Sequence, residues 1–200
     1  MWIKICGMTT PDAVAAALDA GVEAIGFVFA DSPRRVSPQQ ARRLAAPARG
    51  KVLCVAVARH PGQRELDEIV EGFHPDVLQT DAGDLAQRRI PESLERLPVL
   101  RNSDVARALP SRLLFEGAVS GTGRLCDWTT ARGIARRTQL VLAGGLDPQN
   151  VAAAIESVRP FGVDVSSGVE AIRGVKDPAA IARFVAAARA AERTFEESRL

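Results

Sequence analysis

The sequence predicts a closed (β/α)8 barrel, and three observations carry that expectation. Short apolar runs alternate with alanine-rich runs of helical spacing, and the alternation repeats through 200 residues. Several apolar runs are continuous, as in Val52-Leu53-Cys54-Val55-Ala56-Val57, which is the pattern of parallel strands buried on both faces. Near the end, Gln139 to Gly145 and Gly162 to Gly168 are two strand-like runs that each close on small residues. In such a barrel the loops after strands seven and eight commonly hold a phosphate. A doubly wound open sheet is the competitor, but the regular spacing and the paired turns favour closure.

Taken in order, the predicted strands are 2–6, 23–29, 51–57, 76–80, 97–101, 112–116, 139–143 and 162–166. Helical spacing is clearest from Pro11 to Ala20 and from Pro38 to Ala46. Four helices announce their start alike, at Thr10-Pro11, Ser37-Pro38, Asp147-Pro148 and Asp177-Pro178. A hydroxyl or carboxylate caps the first N–H groups and proline takes the first helical position. The fifth unit has room only for a shortened helix, roughly Ser103 to Leu109. The last helix is expected to run from Pro178 through Arg193, with residues 194–200 frayed. The whole chain, 1–200, reads as one barrel domain.

Bulk composition narrows the function. A net charge of +2 with no basic run argues against a nucleic-acid partner. No apolar stretch approaches the roughly 18 residues of a membrane span, and the N-terminus lacks the pattern of a signal peptide. Cysteines at 6, 54 and 126 are odd in number and lack C-x-x-C spacing, which argues against disulfides and structural zinc. A reduced, cytoplasmic protein is expected.

Chemistry in a barrel belongs at the C-terminal strand ends. Strand alternation puts Trp2, Lys4 and Cys6 on one face, so Cys6 should stand at the mouth before Gly7. Lys4 beside it is expected to raise the thiolate fraction, whereas Cys54, in mid-strand, reads as inert. Arg34 lies in the loop after strand two and offers a planar fork to a carboxylate. Glu116 shares a face with Leu114 and should also reach the mouth, giving an acid opposite a thiol base. Asp164 shares a face with Ser166. Asp127 reads as a helix cap, His60 as a group near the pocket, and His74 as one at the opposite end. Glycine pairs such as Gly144-Gly145 let backbone N–H groups converge on a phosphate. No cluster of metal ligands is legible, so the site is expected to work without metal.

Five pieces in order, spanning residues 2 to 178, resemble the phosphoribosylanthranilate isomerase family of tryptophan biosynthesis. They are Lys4-Ile5-Cys6-Gly7; Gly26-Phe27-Val28-Phe29 with Ser32 to Pro38; Gly121-Thr122-Gly123 with Asp127-Trp128; Ala143 to Leu146 with Asn150-Val151; and Asp164 to Glu170. The resemblance implies a ribulose-phosphate-binding barrel that needs no cofactor. It implies an Amadori rearrangement of N-(5-phosphoribosyl)anthranilate to the 1-deoxyribulose phosphate. Cys6 then matches the general base at C2 of the sugar and Glu116 the general acid, an aspartate in most members. Arg34 falls on the arginine that contacts the anthranilate carboxylate; Arg35 fills a usually apolar or aromatic slot. Gly144, Gly145, Ser166, Ser167 and Gly168 match the phosphate grip, and Lys4 and Asp164 complete the substrate-binding set. Asp81 departs from the pattern, standing where many members carry histidine.

The implied partner is a small phosphosugar, bound by a monomer rather than a homodimer. Two alternatives stay open: another phosphosugar enzyme such as an epimerase or thiamine-phosphate synthase, and a catalytically idle barrel that only binds a phosphosugar. The first would want metal ligands or a pyrophosphate site; Glu116 is the one feature that favours the second.

Overall fold

The structure, a computed structural model, describes residues 1–101, 108–117 and 126–197. Eight parallel strands close in chain order: β1 (Trp2–Cys6), β2 (Ala24–Val28), β3 (Leu53–Val57), β4 (Val77–Asp81), β5 (Glu95–Arg101), β6 (Arg112–Glu116), β7 (Gln139–Leu142) and β8 (Gly162–Val165). Every strand lies within two residues of its predicted span. Outside them pack α1 (Pro11–Asp19), α2 (Pro38–Ala45), α3 (Gln63–Phe73), α4 (Ala82–Gln87), α5 (Trp128–Ala135), α6 (Val151–Val158) and α7 (Pro178–Glu197). A small antiparallel pair, β9 (Glu170–Ile172) and β10 (Val175–Lys176), follows β8 and was not foreseen. The shortened helix expected over Ser103–Leu109 falls largely outside the described residues, and Gly121-Thr122-Gly123 wholly so.

Alternation along each strand sorts the core into two layers. Ile3, Ile5, Phe27, Cys54 and Phe115 face the helices, while Val55, Val77, Val99, Leu114 and Val141 fill the barrel interior. The outer layer includes Phe73 of α3, whose ring meets Phe27 edge-on at 5.1 Å and Phe29 at 5.6 Å. Burying one such ring contributes about 1.5–3 kcal/mol. Lys4 lies on the inner face as predicted, and it is fully buried.

Three of the four helix starts form as the sequence predicts. The Thr10 hydroxyl accepts from the Ala13 N–H at 3.3 Å, and Ser37 and Gln40 make a reciprocal capping box. Asp177 accepts from the Ala179 N–H at 2.9 Å. The fourth differs: Asp147 accepts from the N–H groups of Gln149 and Asn150, which makes a separate turn, and α6 begins at Val151 with Asn150 as its cap. The carboxylate spends itself on the two nearest donors and delays the helix by three residues. At the other end α7 runs on to Glu197, past the predicted stop, and the Thr194 hydroxyl bonds the Ala190 carbonyl at 3.2 Å. Among the described residues no helix is long and apolar enough to cross a membrane.

Candidate active site

A cavity of about 220 Å³ opens at the C-terminal ends of the strands. Its lining includes five of the residues singled out from sequence: Cys6, Arg34, Glu116, Asp164 and Ser166. Asp81, also named from the sequence, lines it too, together with Gln79, Arg101 and Arg173. His60 does not; it stands at the rim, largely exposed. His74 caps α3 at the far end in a left-handed conformation, and Asp127 caps α5 by accepting from the Thr129 N–H at 2.9 Å.

Register builds the first wall. Lys4 sits opposite Asp164 across β1 and β8, and its Nζ donates to Asp164 Oδ1 at 2.8 Å. Cys6 sits opposite Gly26, where a Cβ would lie 3.0 Å from the sulfur and 3.1 Å from Lys4 Cε. Glycine in the middle of β2 is therefore what leaves room for the lysine and the thiol inside the barrel. Burial alone would pull the Lys4 pKa down, but Asp164 and then the thiol hold it above the ordinary lysine value.

Lys4 favours the Cys6 thiolate as expected, but it does not decide the balance. Burial pushes the thiol up, and Lys4 offsets only part of that push. The reason is geometric: Asp164 neutralises much of the lysine's field and itself opposes a thiolate. Cys6 therefore rests as a thiol. Cys54 and Cys126 are raised by burial to about 11, as suits inert groups.

Arg34 is held from two sides. Its Nε and Nη2 donate to the two oxygens of Glu170 at 2.6 and 2.9 Å, a bidentate pair. Gly7, at φ +83°, lets the arginine stem pass: a Cβ there would lie 2.6 Å from Arg34 Cδ. Glu170 also accepts from Lys176 Nζ at 2.9 Å and from the Gly174 N–H at 3.1 Å. Against burial, which would raise it, Arg34 and Lys176 draw the Glu170 carboxyl down to about 2. Lys176 reaches the Ser166 carbonyl at 2.9 Å and its hydroxyl at 3.2 Å, and that hydroxyl donates to the Cys6 carbonyl at 3.0 Å. With two donors on Glu170, Arg34 keeps Nη1 outside that pair.

The opposite wall carries Glu116. Arg101 donates from Nη1 to Glu116 and from Nη2 to Asp81 Oδ1, the latter at 2.7 Å. Beyond Asp81, His60 faces a carboxylate from each ring nitrogen: Asp81 at 3.4 Å and Asp84 at 3.2 Å. Asp84 also accepts from the Thr80 hydroxyl at 2.8 Å and the His60 N–H at 2.9 Å. His60, Asp81 and Asp84 are the group among the described residues whose spacing would admit a metal, a cluster that sequence reading did not find. His60 Nδ1 and Asp84 are in hydrogen-bonding reach, whereas Asp81 Oδ2, 3.4 Å from His60 Nε2, is buried with no hydrogen-bond partner.

The phosphate turns are brought together but lie beside the cavity lining. Gly144 and Gly145 adopt φ +91° and +69°, and among the described residues their N–H groups make no backbone hydrogen bond. Ser167 and Gly168 open a short 3-10 turn after Ser166. A Cβ on Gly168 would collide with the Leu146 carbonyl, so the two turns are in direct contact.

Sequence reading missed Glu170 as a partner of Arg34, and also Lys176, Arg101 and Gln79. Glu170 was legible as part of a motif, but nothing local announces its partner across 136 residues. Gln79 had a readable signal, since alternation from Val77 turns it inward. It is buried and its Oε1 has no hydrogen-bond partner.

Comparison with known proteins agrees with this fold. The family described as N-(5'phosphoribosyl)anthranilate (PRA) isomerase matches residues 3–187. An N-(5'-phosphoribosyl)anthranilate isomerase of Mesorhizobium japonicum is 39% identical over 210 aligned positions, covering 94% of this chain and 95% of the relative. The crystal structure of TrpF from Jonesia denitrificans superposes with a TM-score of 0.80 at 36% identity, covering 96% of this chain and 98% of that one. A phosphoribosyl anthranilate isomerase in complex with reduced 1-(o-carboxyphenylamino)-1-deoxyribulose 5-phosphate has a TM-score of 0.76 at 27% identity, with 95% and 99% covered.

Proposed function

Because the chain belongs to the N-(5'-phosphoribosyl)anthranilate isomerase family, we propose that it carries out that isomerisation in tryptophan biosynthesis, with Cys6 as base and Glu116 as acid. The observation that carries the assignment is that a thiol, a carboxyl group and the Arg34 fork line one cavity at the strand ends. Glu116 protonates the ring oxygen of the aminoribosyl group as the C1–O bond breaks, and the nitrogen lone pair forms the C=N bond. The Cys6 thiolate then removes the proton at C2. The resulting enolamine takes up a proton at C1 while its C2 hydroxyl gives one up, and becomes the aminoketose, so no atom is gained or lost. Charged Lys4 stabilises the thiolate once formed.

Arg34 holds the anthranilate carboxylate through Nη1 while Glu170 keeps its plane fixed. Gly144, Gly145, Ser167 and Gly168 receive the phosphate on backbone N–H groups, and Ser166 joins Lys4 and Asp164 in shaping the floor. The buried Oε1 of Gln79 accepts from a sugar hydroxyl. The expected state is a monomer; light scattering on the eluting protein tests it. A working free thiol at Cys6 fits a reducing cytoplasm.

The test is direct. The fluorescence of freshly made phosphoribosylanthranilate should fall when the protein is added, and fall equally with a chelator present. Binding of inorganic phosphate without loss of fluorescence would instead support the idle barrel.

A further inference from the structure

We propose that Arg101 is a positioning residue for Glu116, and that Asp81 acts on the same acid through Arg101. The proposal rests on the reading of Glu116 as the acid of the isomerisation. Arg101 lies directly opposite Glu116 in the β5–β6 register, while Asp81 lies opposite Val99, two residues below Arg101. The guanidinium thus spans both strand ends, with Nη1 on Glu116 Oε1 and Nη2 on Asp81 Oδ1. All three side chains are about equally sheltered, at 14–16% exposure.

A glutamate at a strand end has one more rotatable bond than an aspartate. Unheld, its carboxyl would sweep the mouth, and misplacement by about 1 Å can cost about 100-fold in rate. With Nη2 held on Asp81, the rigid guanidinium plane sets the direction from which Nη1 meets Glu116, where an ammonium would offer a single freely turning point. Asp81 is needed because a guanidinium held by one carboxylate alone could pivot with it. Beside Asp81, His60 Nε2 approaches its second oxygen at 3.4 Å, and His60 itself is held by Asp84, which is tied to the Thr80 hydroxyl and the His60 backbone. Asp81, guanidinium and acid form one line of contacts. Burial alone would lower the Arg101 pKa, but Glu116 and Asp81 hold it above the ordinary arginine value, so the clamp stays charged.

The experiment is a double-mutant cycle on kcat and KM with phosphoribosylanthranilate. Arg101→Gln should lower kcat ~10-fold or more with KM within about twofold, and Arg101→Lys should recover part of the loss. Asp81→Asn should give a smaller fall in kcat, and adding it to Arg101→Gln should cost nothing further. In a Glu116→Gln background, Arg101→Gln should have no further effect on kcat, although both backgrounds should lose similar thermal stability. Losses that multiply in the double variants would overturn the proposal, as would an Arg101→Gln effect confined to KM, which would make Arg101 a substrate contact. Absence of turnover in the unmutated protein would overturn the isomerase reading itself, and with it the acid that Arg101 is said to position.

Discussion

Glu170→Gln separates the electrostatic frame of the site from its chemistry. The substitution keeps the size and one acceptor oxygen of the side chain but removes the charge that faces Arg34 and Lys176. Glu170 is held at about 2 against an ordinary 4.5. Unscreened, that gap would amount to ~3 kcal/mol at about 1.4 kcal/mol per unit. Solvent at the mouth screens part of it, leaving about 2 kcal/mol. For a domain of this size that lowers the melting temperature by ~4–8 °C at pH 7. The sign follows from linkage: a carboxyl depressed on folding contributes its full stability above the unfolded value, and loses it as pH falls through the folded one. The gap between parent and variant should therefore be full at pH 7, begin to narrow below about 4.5 and be largely gone near 2. Thermal melts followed by circular dichroism at pH 7, 4 and 2.5 measure it. The variant should also raise KM more than it lowers kcat, because Arg34 loses its orientation. A stability gap that stays constant from pH 7 to pH 2.5 would refute the reasoning.

Three further outcomes follow from the same geometry. Cys6→Ala should lower kcat by ~100-fold or more, the scale of a general base, and in the parent kcat/KM should still be rising above pH 8, because burial holds this thiol above its ordinary value; a plateau reached below pH 8 would contradict it. Glu116→Gln should abolish most turnover while leaving KM within a few-fold, since the amide preserves shape but carries no acidic proton; near-normal kcat would remove Glu116 from the mechanism. Gly168→Ala drives a methyl group into the Leu146 carbonyl and to 2.9 Å from Asp147 Cα, so it should cost ~1–3 kcal/mol or more of stability and weaken competitive inhibition by phosphate; unchanged inhibition in a folded variant would place the phosphate elsewhere.

The barrel was legible because its rules are local. Apolar runs, proline after a capping residue and period-two alternation each act over a few residues, and together they place all eight strands, turn Lys4 into the barrel and point Cys6, Glu116 and Asp164 at one mouth. What local rules fail to give is the net sign of competing fields. From sequence, Lys4 two residues below Cys6 looks like an activator of the thiol. The closed barrel puts Asp164 of β8 against that lysine at 2.8 Å and removes the sulfur from water, and the balance reverses.

The same limit explains why Asp81 and Glu116 read as two unrelated departures from the family's pattern. Their strands are not neighbours: β5 lies between them, and it contributes Arg101 at its end. Sequence spacing could place each residue at the mouth, because direction is set by alternation. It could not join them, because joining depends on how far an arginine reaches sideways across two strand gaps of about 4.8 Å each. An extended arginine side chain covers one such gap in either direction, so the residue on the middle strand can hold both neighbours where neither could touch the other directly. On the proposed reading of Glu116 as the acid, a glutamate there then need not be loose. The longer side chain brings its carboxyl to the arginine, and the arginine takes back the freedom that the extra methylene added.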